Sequence, residues 1–283
     1  LIEPGDEVLI PEPSFVCYKP CTALAGGVPV TIETKEENNF CLTPDELRAH
    51  ITPKTKLLIL PYPNNPTGGV LTKKGMEALA EVLSETNIMV LSDEIYSALR
   101  YDEEGHIPFS AIPGMRERTV VIDGFSKAFA MTGWRLGYAY GPAPIIKSMT
   151  KVHQYGIMSA PTTSQYAAIE ALKSCDEDVE EMRREYNFRR RYIVDGFRKM
   201  GLSCYEPMGA FYAFPCITST GMTSEEFCEK LLIEQKVAVV PGTAFGKCGE
   251  GFIRCSYAYS VEQIEEALRR IEVFVKKYQK NGF

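Results

Sequence analysis

Histidine is scarce in this 283-residue sequence, which has three, and its nine cysteines include no CxxC pair. Cys17 and Cys21 have three residues between them, so the ligand spacing of a metal site is missing and no metal is expected. An odd cysteine count argues against a disulfide framework. Free thiols packed as small hydrophobes in a reducing cytoplasm account for them. A basic excess is missing too: 31 Lys and Arg face 37 Asp and Glu, for a net charge of −6. Nothing in that balance suits a nucleic-acid surface. Apolar runs such as Lys56–Leu60 and Thr119–Ile122 are far too short to span a bilayer, so no membrane partner is expected. No GxGxxG follows an early strand, which sets a dinucleotide enzyme aside. Internal repeats and low-complexity tracts are absent. The sequence also lacks an initiator Met and a signal-peptide stretch. It opens on Leu1-Ile2-Glu3-Pro4-Gly5-Asp6-Glu7, which reads as a helix tail turning into a strand, a fold entered part-way through.

What is present is ordinary folded composition, 45% hydrophobic and 24% charged. The length favours one large domain plus a smaller one. Apolar runs at Glu7–Ile10, Val28–Ile32, Lys56–Leu60, Ile88–Leu91, Thr119–Ile122 and Leu136–Tyr140 alternate with helical stretches. That pattern predicts an α/β fold with a mainly parallel sheet buried on both faces. Helices are predicted at Thr43–Ile51, opened by Thr43-Pro44-Asp45-Glu46, and at Thr72–Thr86. From Ala143 to Met200 the sequence is mostly helical, with solvated charge runs at Asp176–Tyr186 and Arg189-Arg190-Arg191. Strand-like Gly209–Phe214, a helix at Ser224–Glu234, strand-like Val237–Val240 and Gly251–Ser256, and a helix at Val261–Tyr278 follow. The expected division is a large domain over 1–185 and a small α+β domain over 186–283.

Four constellations carry chemistry, and three of them directly follow an apolar strand, where open α/β sheets bind ligands. Pro61-Tyr62-Pro63-Asn64-Asn65-Pro66-Thr67-Gly68-Gly69 is a stiff turn that fixes two side-chain amides. Asp93 ends a buried strand, a costly place for a carboxylate unless it caps a helix or meets a cation. Lys127, in Gly124-Phe125-Ser126-Lys127-Ala128-Phe129, lies among small and aromatic residues with no adjacent carboxylate. A desolvated lysine near another cation becomes a usable nucleophile and proton carrier. Arg135, eight residues on, is a planar fork suited to a phosphate. Arg254 sits in the apolar stretch Gly251–Ala258 and needs an anion, either a structural carboxylate or a bound one.

In this order, Asn-Pro-Thr-Gly, Ser-Asp-Glu-Ile-Tyr, Ser-Lys with Met-Thr-Gly-Trp-Arg, and the late Arg, the sequence resembles the class I/II aminotransferases of PLP fold type I. The resemblance extends through Pro241-Gly242-Thr243-Ala244-Phe245-Gly246. It implies pyridoxal 5′-phosphate held by Lys127 as a Schiff base, with the same lysine later moving the substrate Cα proton. Asp93 would keep the cofactor's ring nitrogen protonated, and Asn65 and Tyr96 would hydrogen-bond its phenolic oxygen. Arg135 would bind the phosphate, Phe15 would stack on the ring, and Arg254 beside Asn65 would grip the substrate carboxylate. A homodimer working on amino acids and 2-oxo acids by ping-pong half-reactions is implied as well.

Two departures qualify the match. Many relatives carry a phosphate-touching Ser three residues before the lysine, where this sequence has Gly124. Phe15 stands where a Trp or Tyr is usual. The family also has an upstream segment that supplies a Gly-rich phosphate loop and a Tyr that crosses the dimer interface. A molecule that truly began at Leu1 is expected to bind the cofactor weakly or not at all. The motifs do not separate amino transfer from C–S lyase chemistry, or from a sensory domain that binds the cofactor without turnover.

Overall fold

The computed structural model describes residues 1–279. Six apolar runs form one sheet: β1 (Glu7–Glu12), β2 (Val28–Glu33), β3 (Thr55–Leu60), β4 (Met89–Asp93), β5 (Thr119–Gly124) and β6 (Gly137–Tyr140). Their order is β2-β1-β3-β4-β5-β6, with the first five parallel and β6 antiparallel to β5. The mainly parallel α/β sheet expected from the sequence is therefore present. Alternation along β3 sends Leu58 and Leu60 into one core and Ile59 into another, as the pleat requires.

Crossover segments carry α1 (Tyr18–Leu24), α2 (Pro44–His50) and α3 (Lys73–Ser84). Thr43 and Glu46 close a reciprocal capping box on α2, and Thr72 caps α3 through Gly75 N. The apolar stripe of α3, including Leu79 and Leu83, covers the sheet face that holds Leu58 and Val90. Helix α1 is not apparent from the sequence: Cys17 offers no capping side chain, and Pro20 lies in its first turn.

The chain then forms α4 (Phe125–Ala128), α5 (Ala143–Gly156), α6 (Thr162–Ser174) and α7 (Asp176–Lys199). Helix α7 runs unbroken past residue 185, and its Ile193, Val194 and Phe197 enter a second core. That core lies between α7, α8 (Ser224–Gln235), α9 (Val261–Tyr278) and a small antiparallel sheet ordered β7-β9-β8. The three strands are β7 (Tyr212–Ala213), β8 (Val240–Pro241) and β9 (Ile253–Ser256). Ladder pairing covers two residues of the strand-like Gly209–Phe214 and only Val240 of Val237–Val240, so apolar character there marks burial more than pairing. Among the described residues no helix is long and apolar enough to cross a membrane.

Candidate active site

The residues singled out above lie at or just after the carboxyl ends of β3, β4 and β5, and on β9, whose Arg254 meets Asn65. After β3, Asn64 is consumed by its own turn: Oδ1 accepts from Thr67 N and Thr67 Oγ1, and its carbonyl accepts from Gly68 N. Gly68 adopts φ +71°, and a Cβ there would strike Pro207. That tight turn leaves the amide of Asn65 free to reach outward. Its Oδ1 accepts from Arg254 Nη1 at 3.0 Å, joining residues 189 positions apart.

Strand alternation separates the acids at the end of β4. Ser92 and Glu94 point to one side, where Glu94 accepts from Ser92 Oγ and Phe109 N and lies 2.6 Å from His106 Nε2. Asp93 points to the other. Its Oδ2 accepts from Tyr18 OH at 2.8 Å and its Oδ1 from Ile95 N at 3.2 Å. Burial raises the Asp93 pKa, and these two donors only partly oppose it. Tyr96 is buried, with its hydroxyl 3.1 Å from that of Tyr212. Burial and then Tyr212 push its pKa up, while Arg254 pulls the other way.

After β5, Lys127 occupies the four-residue α4. The following turn reverses through Ala130 at φ +51° and Arg135 at φ +53°. It is pinned by Thr132 Oγ1 on the Ser126 carbonyl and by Arg135 Nη1 on the Thr132 carbonyl. Lys127 Nζ lies 5.8 Å from the Phe211 ring centroid. Its pKa is lowered, first by burial, then by Arg135 and Arg254. Gly124 pairs with Gly137 of β6, and a Cβ on Gly124 would sit 2.9 Å from the Gly137 Cα. A Ser at this position would collide with β6, which accounts for the first departure.

The structure thus gathers Asn65, Asp93, Tyr96, Lys127 and Arg254, with Arg135 close enough to bear on the lysine. Phe15 is at the edge, 42% exposed, and meets Tyr18 edge-to-face with ring centroids 6.2 Å apart. Two neighbours escaped sequence reasoning, Tyr18 and Tyr212. They lie 75 and 116 residues from their partners Asp93 and Tyr96, and no local pattern marks them. Among the described residues no group of His, Cys, Asp and Glu is placed to hold a metal ion.

Lys127, Arg135 and Arg254 form no ion pair with a carboxylate among the described residues. Arg254 Nε is buried with no hydrogen-bond partner. Three cations near one half-buried carboxylate suit an anionic ligand that also carries a positive group. Residues 1–271 match the family model described as aminotransferase class I and II. The chain belongs to this family. An aspartate aminotransferase of Pyrococcus abyssi is 49% identical over 280 residues, 98% of this chain and 72% of that protein. The aromatic-amino-acid aminotransferase 2 of Thermococcus litoralis is 48% identical over 278 residues, again 98% and 72%. The crystal structure of an aromatic aminotransferase from Pyrococcus horikoshii superposes with a TM-score of 0.96 at 48% identity, covering 98% of this chain and 75% of that one. The fold is fold type I of the PLP-dependent enzymes. As an aminotransferase the protein is an enzyme of amino-group transfer, and the eliminating and sensory alternatives fall away.

Proposed function

We propose that this aminotransferase moves an amino group between an amino acid and a 2-oxo acid in two half-reactions, with pyridoxal 5′-phosphate as its cofactor. One observation carries the reading: Lys127, with Arg135 and Arg254 close enough to lower its pKa, lies in one site with half-buried Asp93, and none of the three cations is neutralised by a carboxylate of the described chain. A zwitterionic group with a pyridinium ring and a phosphate fits that arrangement. Bound there, the cofactor supplies an electron sink that makes the substrate Cα–H bond acidic.

Each residue then has a task. Asp93, kept in place by Tyr18 and Ile95 N–H, holds the proton on the ring nitrogen through its carboxylate. Asn65 and Tyr96 donate toward the phenolic oxygen, and Phe15 covers the ring face. Arg135 binds phosphate, a task in which the missing hydroxyl at position 124 takes no part. Lys127 anchors the cofactor and, with its pKa lowered, carries the proton to and from the substrate Cα. Arg254, steadied by Asn65, binds the substrate carboxylate.

The reading extends to a homodimer in the cytoplasm, where nine unpaired thiols persist. It also divides the chain near residue 185 into a cofactor-binding body and a smaller one. A panel of amino donors assayed against 2-oxoglutarate, with cofactor added, tests the activity. Lys127→Ala is expected to lose about a thousandfold or more in transamination. Retention of turnover in that variant would remove Lys127 from the mechanism.

A further inference from the structure

Arg254 is restrained before any ligand arrives. Its Cζ lies 4.5 Å from the Tyr212 ring centroid and 4.8 Å from that of Phe245. Tyr212 comes from β7 and Phe245 from the turn after β8, the two strands that flank β9. Both rings are buried. The turn that carries Phe245 is closely built, since a Cβ on Gly242 would strike the Gly249 carbonyl. Its Phe245 carbonyl accepts from Ser14 N at 3.0 Å, which ties it to the loop bearing Phe15.

A guanidinium between two ring faces keeps its plane, because turning out of it forfeits both contacts. The orientation holds although Nε is left buried and unpaired, a cost that a freely turning fork would avoid. Nη1 is engaged by Asn65. Tyr212 makes one more contact, its hydroxyl lying 3.1 Å from that of Tyr96. If Tyr96 donates to a ligand oxygen, the Tyr212 O–H becomes the donor in this pair, and the two act as a chain.

We infer that Tyr212 and Phe245 form an aromatic clamp that fixes the plane of the Arg254 fork for an incoming carboxylate, and that the Tyr212 hydroxyl couples this clamp to Tyr96. The inference rests on the proposed role of Arg254 as carboxylate anchor and deepens it. Both aromatics are positioning residues. The clamp acts on binding that ground and transition states share, so its loss raises KM and leaves kcat nearly unchanged. The hydroxyl acts through Tyr96, so its loss alters pH dependence and spares KM.

Two measurements on Tyr212→Phe, Tyr212→Leu and Phe245→Met test this. In cofactor-free protein with ¹⁵N-labelled arginine, the Arg254 Nε–H signal is identified by its absence in Arg254→Lys. It is expected to be sharp and slow to exchange in the parent and in Tyr212→Phe, and broadened in the other two. In the holoenzyme, Tyr212→Leu and Phe245→Met should raise the KM for the amino donor about tenfold with kcat within about threefold. Tyr212→Phe should keep the parental KM and shift the pH profile of kcat. An unchanged Nε–H signal and unchanged KM in the two ring-removing variants overturn the clamp. If Tyr212→Leu does not fold, Phe245→Met, which nearly conserves volume, decides alone. A parent protein with no transaminase activity would overturn the proposed function, while the Nε–H signal would still decide the clamp.

Discussion

Asp93 is a carboxylate held against the preference of its surroundings. Burial raises its pKa, and the Tyr18 hydroxyl and Ile95 N–H offset only part of that rise. A raised folded value means that the unfolded chain releases this proton at lower pH. The contribution to stability is therefore full in acid below the unfolded value, and is lost as pH rises through the folded one. Asp93→Asn keeps the volume and an acceptor for Tyr18 but never ionises. The cofactor-free variant is expected to melt above the parent near neutral pH, where the parent carboxylate is charged. The gap should close toward about pH 4, near the ordinary Asp value. Thermal scans across this range check it, and a gap independent of pH would show that charge burial is not its source. At this scale the sequence displays Asp93, Asn65, Lys127 and Arg254, because each stands in a short motif at a strand end or in an apolar strand. It hides Tyr18 and Tyr212, whose relevance exists only through contacts made across the fold.

Helix α9 illustrates what an element owes to its own sequence. Ser260 and Gln263 close a capping box at its start, and Ile264, Leu268, Ile271, Phe274 and Val275 form one buried stripe. Spacings of three and four residues mark that stripe in the sequence, so the helix is legible end to end. Phe274→Ala is expected to cost about 3–5 kcal/mol in urea unfolding, because the ring is fully buried and packs edge-on to Phe227. Val273→Ala, on the half-exposed side of the same helix, should stay within about 0.5 kcal/mol. Equal effects would mean that the stripe does not carry the packing. Other elements were less legible for physical reasons. Helix α1 has no capping side chain and only two buried residues, and the small sheet pairs over a few residues within longer apolar stretches.

For the whole molecule, the net charge of −6 opposes the local charge of the site. Lys127, Arg135 and Arg254 outnumber Asp93 there, and local charge, more than the sum, governs an approaching anion. Association of pyridoxal 5′-phosphate, followed by stopped-flow absorbance, is expected to slow about threefold or more between low and high salt as this attraction is screened. A rate indifferent to salt would show that the cations do not steer it. The general architecture was readable because five parallel strands recur with crossovers. The meeting of β3 with β9 was not, since it depends on how two cores pack.

That meeting also bears on refolding. Asn65 lies in the turn that follows β3 of the large sheet and Arg254 in β9 of the small one, and they face each other only once both cores have formed. Neither core alone brings these two residues together. After dilution from denaturant, secondary structure can return core by core, but regained turnover reports the slower of the two and their docking.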